Sequence, residues 1–313
     1  MPFIEHDPWR LQYFDGIPCP DDVAIPTDDG DCWTLYPRFR WVHNKLNIAE
    51  TQGIEAAPHG VVPERFPVFS KPIYNLKGMG RGSRPIATLD EFWHAQAPGH
   101  MWMRLLEGEH LSTDVAVIDG GPVWWRHVVG HAAGQGTFDH WTVESGRRTA
   151  LEAYCGLWLG RHLKGFTGIV NIESIDGRMI EIHLRMSDQW PDLYGAGWVE
   201  NLVPLYRDGR WTFEDRDRRE GYSVVLFGPH GHRYDAVDRT FIAALAKRPA
   251  MSSIQITYHE GRSPELHAMP PGGFRLAIIN CWDLAVGRAV RHELAQMFHA
   301  IRQKPAPARR QAP

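Results

Sequence analysis

The sequence predicts an α+β protein whose lobes enclose a cleft, and three observations predict it. Residues Gly168 to Arg185 alternate in character on both sides of Asp176-Gly177, the pattern of an antiparallel hairpin with a tight turn. Arg147 to Lys164 places Leu151, Tyr154, Cys155, Trp158, Leu159 and His162 on one face of an amphipathic helix. Further strands and helices follow in mixed order without an internal repeat, and 313 residues suffice for several lobes.

Composition narrows the function classes. A net charge of -3 and a pI near 6.6 give no electrostatic case for nucleic acid or an anionic membrane. No apolar run approaches the ~20 residues that span a bilayer. Met1 to Asp7 lacks the basic start and apolar core of a signal peptide. Cys19, Cys32, Cys155 and Cys281 form no CxxC pair. A cytoplasmic protein with reduced thiols is expected.

In chain order, residues 1–40 are rich in Pro, Asp and Gly and read as mostly irregular. A short helix spans about Asn44 to Gln52, with Gly53 placed to end it. Phe66 to Pro72 is a short strand, and Leu76 to Ser83 is a Gly-rich run. Thr88 to Ala95 reads as a helix with Asp90 and Glu91 in its first turn. Residues 100–106 and 111–118 read as strands, and Asp119-Gly120-Gly121 turns into a third, Pro122 to Gly130. Beyond the amphipathic helix and the hairpin, strands are expected at Tyr222–Phe227, Ile254–Thr257 and Phe274–Asn280. Helices are expected at Ala236–Ala246 and Leu284–Ile301, before a frayed basic tail from Lys304 to Arg310.

The hairpin carries the most chemistry. With alternating side chains, Glu181, His183 and Arg185 share a face, and Glu173 lies across from them on the paired strand. Carboxylates suit Mg²⁺ and an adjacent Arg suits phosphate. The same residues also fit a solvated hairpin face with cross-strand ion pairs.

Upstream residues extend the pattern. Lys45 heads the helix that ends at Gly53-Ile54. Phe66-Pro-Val-Phe-Ser-Lys71-Pro is followed by Gly78, Gly80 and Gly82, interleaved with Lys77, Arg81 and Ser83. Met101 to Glu109 leads into the strands, and Asn171-Ile-Glu173 with Glu181-Ile-His183-Leu-Arg185 completes the series. In this order and spacing, residues 41–190 resemble the ATP-grasp superfamily of carboxylate–amine ligases.

The resemblance implies an ATP-grasp fold, α+β, with two α+β lobes sandwiching ATP. A reduced N-terminal segment (1–40) would precede a first lobe with a Gly-rich lid (41–100) and a second lobe with the Mg/ATP hairpin (101–190). An α+β C-terminal extension for substrate recognition (191–302) and a disordered tail (303–313) would follow. By the same resemblance, Lys45 and Lys71 reach the nucleotide phosphates, and Gly78, Gly80, Gly82 and Ser83 form the lid together with Arg81. Glu173 and Glu181 would bridge Mg²⁺, while Arg185 steadies the reacting acyl phosphate.

The segment after Met101 resembles the hinge between lobes, but the usual acidic residue is replaced by Met103 or Arg104. Adenine is therefore expected on main-chain groups around Met103 and Leu105. Glu109 is the candidate for the ribose hydroxyls, with His110 or Asp114 as alternatives. His183 stands where the family usually has Asn. Three roles stay open for it: orienting Glu181, binding a phosphate oxygen, or joining the metal set and making Mn²⁺ acceptable.

The implied activity is that of an ATP-grasp ligase forming carbon–nitrogen bonds, with ATP and Mg²⁺ as cofactors. Small-molecule carboxylate and amine substrates are the implied partners, with neither nucleic acid nor membrane, and a homodimer is allowed. The alternatives are a kinase or phosphoryl-transfer enzyme on the same scaffold, or a catalytically drifted ATP-binding regulatory or scaffold protein. Only about 40 residues precede Lys45, too few for a doubly wound domain, so recognition falls to residues 1–40 and 190–300. His6, Asp7, Trp9 and Arg10 are candidates there, though capping or packing fits each of them too, and Arg275 is a candidate carboxylate anchor. His230 and His232 read as part of a turn, and Cys281 is not expected to be a nucleophile.

Overall fold

The computed structural model describes all residues except 1–2, 19, 77–79, 81, 231, 236, 260–269, 299 and 302–313, together with the side chains of 300 and 301. Cys19, the tail and the Lys77, Gly78 and Arg81 part of the lid therefore lie outside the described residues. Near the N-terminus, β1 (Phe3–Ile4) pairs in parallel with β2 (Ile25–Pro26). The segment expected to be mostly irregular then contains α1 (Asp29–Leu35). Asp28 caps it by accepting from Asp31 N at 2.8 Å, and Asp29 and Asp31 lie in the first turn, where negative charge is favoured. The acids that suggested irregular chain thus start a helix. A 3-10 turn (Pro37–His43) leads to α2 (Lys45–Glu50), capped by Asn44, whose Oδ1 accepts from Leu46 N and Asn47 N at 3.0 and 3.1 Å.

The first lobe holds β3 (Ala56–Pro58), β4 (Val68–Pro72), β5 (Arg84–Ile86), α3 (Leu89–His94) and β6 (His100–Arg104). Its antiparallel sheet has the order β3-β6-β4-β5. Thr88 caps α3, and Phe92 packs with Val68, Ile86 and Trp102 to form a small core. Lys71 lies on the central strand β4, and the Gly-rich run connects β4 to β5.

The larger sheet begins with β7 (His110–Ile118), β8 (Gly121–Gly134) and β9 (Thr137–Val143), followed by α4 (Thr149–His162). Next come the hairpin strands β10 (Gly168–Ile175) and β11 (Arg178–His183), then α5 (Trp198–Asp208) and β12 (Gly221–Gly228). The remaining elements are β13 (Arg233–Tyr234), α6 (Arg239–Ala246), β14 (Met251–Ile256), β15 (Phe274–Cys281), α7 (Leu284–Met297) and β16 (Ala300–Ile301). Eight strands form one antiparallel sheet in the order β11-β10-β7-β8-β9-β12-β15-β14, so β12, β14 and β15, beyond residue 190, continue this sheet. The helix expected as far as Ile301 stops at Met297, and Ala300–Ile301 pairs instead with β13.

Alternation along the strands gives the sheet two faces. Val115, Val117, Val170, Ile172 and Ile182 pack with Leu151, Cys155 and Leu159 of α4. Ala116 and Ile169 point the other way, into a Trp-rich core with Trp124, Trp141, Trp190, Trp198 and Leu202. Glu173 and Asn171 share the parity of Ile169, so the polar edge of the hairpin lies on the face opposite α4.

Candidate active site

The hairpin turn is of type I′: Asp176 and Gly177 both have positive φ, 48° and 70°. It sets the register, with Glu173 opposite Glu181 and Asn171 opposite His183. The pairing passes from Glu173↔Glu181 to Ser174↔Met179, so Ile180 is a bulge residue without a partner. Lys71 Nζ donates to the Ile180 carbonyl at 2.8 Å. One residue further, the Gln52 side chain pairs with both backbone groups of Met179, at 2.7 and 2.9 Å. Strand β11 is an edge strand, and these side chains from α2's end and β4 satisfy its outward-facing groups. This is what brings the first lobe against the hairpin.

Around that contact the charges converge. Lys45 Nζ lies 2.7 Å from Glu181 Oε1, and both lysines are buried, at 4% (Lys45) and 5% (Lys71) exposure. Burial, with Lys45 nearby, pushes Lys71 down to about 7. His183 Nε2 lies 3.8 Å from Glu173 Oε1 and 3.8 Å from Glu181 Oε1. Its Nδ1 meets Asp29 Oδ2 at 2.8 Å, and Asp29 Oδ1 takes Arg185 Nε at 3.2 Å. Burial opposes the charged ring, but Asp29 outweighs it and raises His183 to about 9. Burial likewise opposes the Asp29 carboxylate, yet Arg185 and His183 hold it below the usual carboxylate range. Glu173 is held well below that range against its burial by His110, 3.4 Å away, and by His183.

Lys45, Lys71, Glu173, Glu181, His183 and Arg185 thus come together. The hinge candidates have varied surroundings. Met103 is buried with Met101 and Ala49, and Leu105 follows the end of β6 half-buried. Glu109 is exposed and ion-paired with Arg148 at 2.8 Å. Asp114 is fully buried, accepting from Asn171 Nδ2 at 2.7 Å, Tyr194 OH at 2.8 Å and Ser187 N at 3.1 Å, while His110 stands beside Glu173. Of the lid, Gly80, Gly82 and Ser83 are described, and Ser83 N bonds Gly80 O at 3.0 Å. Both glycines have positive φ, 60° and 77°.

Sequence reasoning missed Asp29, His43 and Asp188. Asp29 carried a readable signal, since it follows a helix-capping Asp, but its partner His183 is 154 residues away. His43 precedes the Lys45 helix and is buried, with its Nε2 lacking any hydrogen-bond partner. Asp188 Oδ2 holds Arg10 Nη1 at 3.4 Å and Arg275 Nη2 at 3.1 Å, joining two of the candidate recognition residues.

The cluster fits a divalent cation. One ligand atom each from Glu173, Glu181 and His183 lies within 4.8 Å of the others. The 3.8 Å spacings exceed a hydrogen bond but match two ligands on one ion, about 3 to 4.2 Å apart for bonds near 2.1 Å. The remaining positions would fall to water or phosphate oxygens, as Mg²⁺ prefers.

No family model matches the chain, and no curated protein matches it. Solved structures do. Phosphoribosylamine–glycine ligase from Thermotoga maritima aligns with a TM-score of 0.60 at 15% identity, covering 95% of this chain and 87% of that one. An L-amino acid ligase from Bacillus licheniformis gives 0.59 at 13%, covering 84% and 73%. The biotin carboxylase domain of Hydrogenobacter thermophilus 2-oxoglutarate carboxylase, solved with MgADP, ADP and bicarbonate, gives 0.57 at 11%, covering 86% and 68%. All three are ATP-grasp enzymes. With a small first sheet and a large antiparallel sheet, this chain has the ATP-grasp fold.

Proposed function

We propose that this chain binds ATP with Mg²⁺ between its two sheets, activates a carboxylate as an acyl phosphate and couples it to an amine. The observation that carries this reading is the meeting of Lys45, Lys71, Glu173 and Glu181, drawn from α2, β4, β10 and β11, beside Arg185. The ligase names of two structural neighbours and the MgADP complex of the third agree with it.

In this mechanism Lys45 leaves Glu181 for the nucleotide phosphates, and Lys71 supplies a second positive charge from the floor of the cleft. Glu173 and Glu181 would hold Mg²⁺, which when bound would supply positive charge against the phosphates. Arg185, kept charged and oriented by Asp29, steadies the transferring group. The substrate carboxylate attacks the γ-phosphorus and ADP leaves. An amine then attacks the acyl carbon and expels phosphate. Gly80, Gly82 and Ser83 are proposed to belong to a lid that excludes water, which would hydrolyse the intermediate. Arg10 and Arg275, gathered on Asp188 three residues after Arg185, are proposed to hold the acceptor end of the substrate.

The test is a screen of carboxylic acids with amines for Mg·ATP-dependent ADP release, with hydroxylamine to trap the acyl phosphate. Glu181→Gln and Lys71→Ala should each abolish hydroxamate formation; unchanged ADP formation in both would sink the ligase reading. A second reading, ATP binding without ligation, is favoured by the packing of Met101, Met103 and Ala49 against Ile180 between the lobes and by the neutralised Lys45. It expects a thermal shift with Mg·ATP but no ADP release. A kinase would instead give ADP with a stable phosphorylated product and no amide.

A further inference from the structure

We propose that the centre made by Glu173, Glu181 and His183 is built to take a first-row transition metal such as Mn²⁺ in preference to Mg²⁺, with His183 Nε2 as a nitrogen ligand. This rests on the reading above for the position of the metal. It departs from that reading in the identity of the ion and in the role of one side chain.

Geometry carries the argument. His183 is 3% exposed, and its Nε2 faces the gap between the two glutamates, 3.8 Å from an oxygen of each. Its other nitrogen is committed to Asp29 at 2.8 Å. A carboxylate on one imidazole nitrogen fixes the ring and its tautomer and leaves the second nitrogen to the metal, the arrangement found behind most ligating histidines. Asp29 cannot itself turn to the ion, because Arg185 holds its second oxygen at 3.2 Å. His183 is therefore a positioned ligand rather than a loose neighbour of the site, and an ion binding at Nε2 would displace to solvent the proton that the charged free ring carries there.

Mg²⁺ favours oxygen and holds its water tightly, whereas imidazole suits Mn²⁺ and its heavier neighbours. Two carboxylates with one nitrogen donor in place are a donor set for the latter.

The experiment uses the full chain, with Mn²⁺ alone and Mg²⁺ alone as probes and no nucleotide. Electron paramagnetic resonance of the free ion gives the Mn²⁺ affinity, and electron spin-echo modulation reports nitrogen coordination. The expected result is one bound Mn²⁺ with ¹⁴N modulation, displaced only by at least a ten-fold excess of Mg²⁺. His183→Asn should remove the modulation, and Asp29→Asn should weaken Mn²⁺ by about 10 to 100-fold. Bound Mn²⁺ with oxygen ligands alone, or displacement by equimolar Mg²⁺, overturns the proposal, and both readouts come from the unmodified chain. Nitrogen modulation without ADP release from any acid and amine would keep this inference and sink the ligase reading. ADP release with Mg·ATP but no nitrogen modulation would do the reverse.

Discussion

Asp29 uses its two oxygens on His183 and Arg185, and so fixes both the ring that faces Glu173 and Glu181 and the guanidinium beside it. Neither partner is visible from Asp29's own surroundings in the sequence. Lys45, Lys71, Glu173 and Glu181 were legible because each sits in a short local pattern, whereas Asp29 acts across 154 residues. The same holds for Arg10 and Arg275, whose common partner Asp188 lies 178 and 87 residues from them. Substituting either arginine by Ala is expected to raise KM for the acceptor at least ten-fold while leaving nucleotide affinity unchanged, as steady-state kinetics and a nucleotide titration would show. A second residue-scale expectation concerns His127, fully buried between Thr113 Oγ1 and Glu152 Oε1, each at 3.0 Å. Burial lowers its pKa, so the folded state keeps the ring neutral while the unfolded chain takes up a proton near ~6.5. The unfolded state then binds more protons as pH falls through that value, and the stability present above it is lost. Tm should drop between pH 7 and 5, and His127→Gln should flatten that acid limb.

At the scale of elements, the strongest local signals translated directly into structure. Asp176-Gly177 gave its I′ turn, Asn44 and Thr88 became helix caps, and Leu151, Cys155, Trp158 and Leu159 became the buried face of α4. Elements that broke a local rule were missed. Helix α5 carries Pro204 inside and begins at a left-handed Gly197, which together read as loop. The bulge at Ile180 was equally missed, its one trace in the sequence being the adjacent apolar pair Met179-Ile180 that interrupts the alternation. The α2 cap lends itself to a test, since Asn44 satisfies two orphan N–H groups next to Lys45. Asn44→Ala is expected to cost about 1 kcal/mol in denaturant unfolding and to weaken nucleotide binding with it. Loss of stability alone, with affinity intact, would separate the cap from the site.

For the molecule as a whole, the large sheet passes through residue 190 without interruption, because β12 pairs with β9. Trp190, Leu193, Tyr194, Trp198 and Val225 share one core with Ala116 and Ile169, on the face that carries the polar edge of the hairpin. A fragment ending at residue 190 would strip Trp198 and Val225 from that core and leave β9 an open edge. It should show no cooperative melting transition; a sharp transition by calorimetry would mean that the C-terminal strands are an accessory. The first lobe touches this sheet through Lys71, Gln52 and Lys45 at the hairpin edge, the place where the nucleotide is proposed to enter. The most direct measurement is therefore calorimetric titration of Mg·ATP into the full chain and into its Lys45→Met and Lys71→Met variants. One nucleotide per chain, weakened about 10 to 100-fold by either substitution, is the expected result. Absence of binding, or affinity indifferent to both lysines, would contradict the assignment of this cleft.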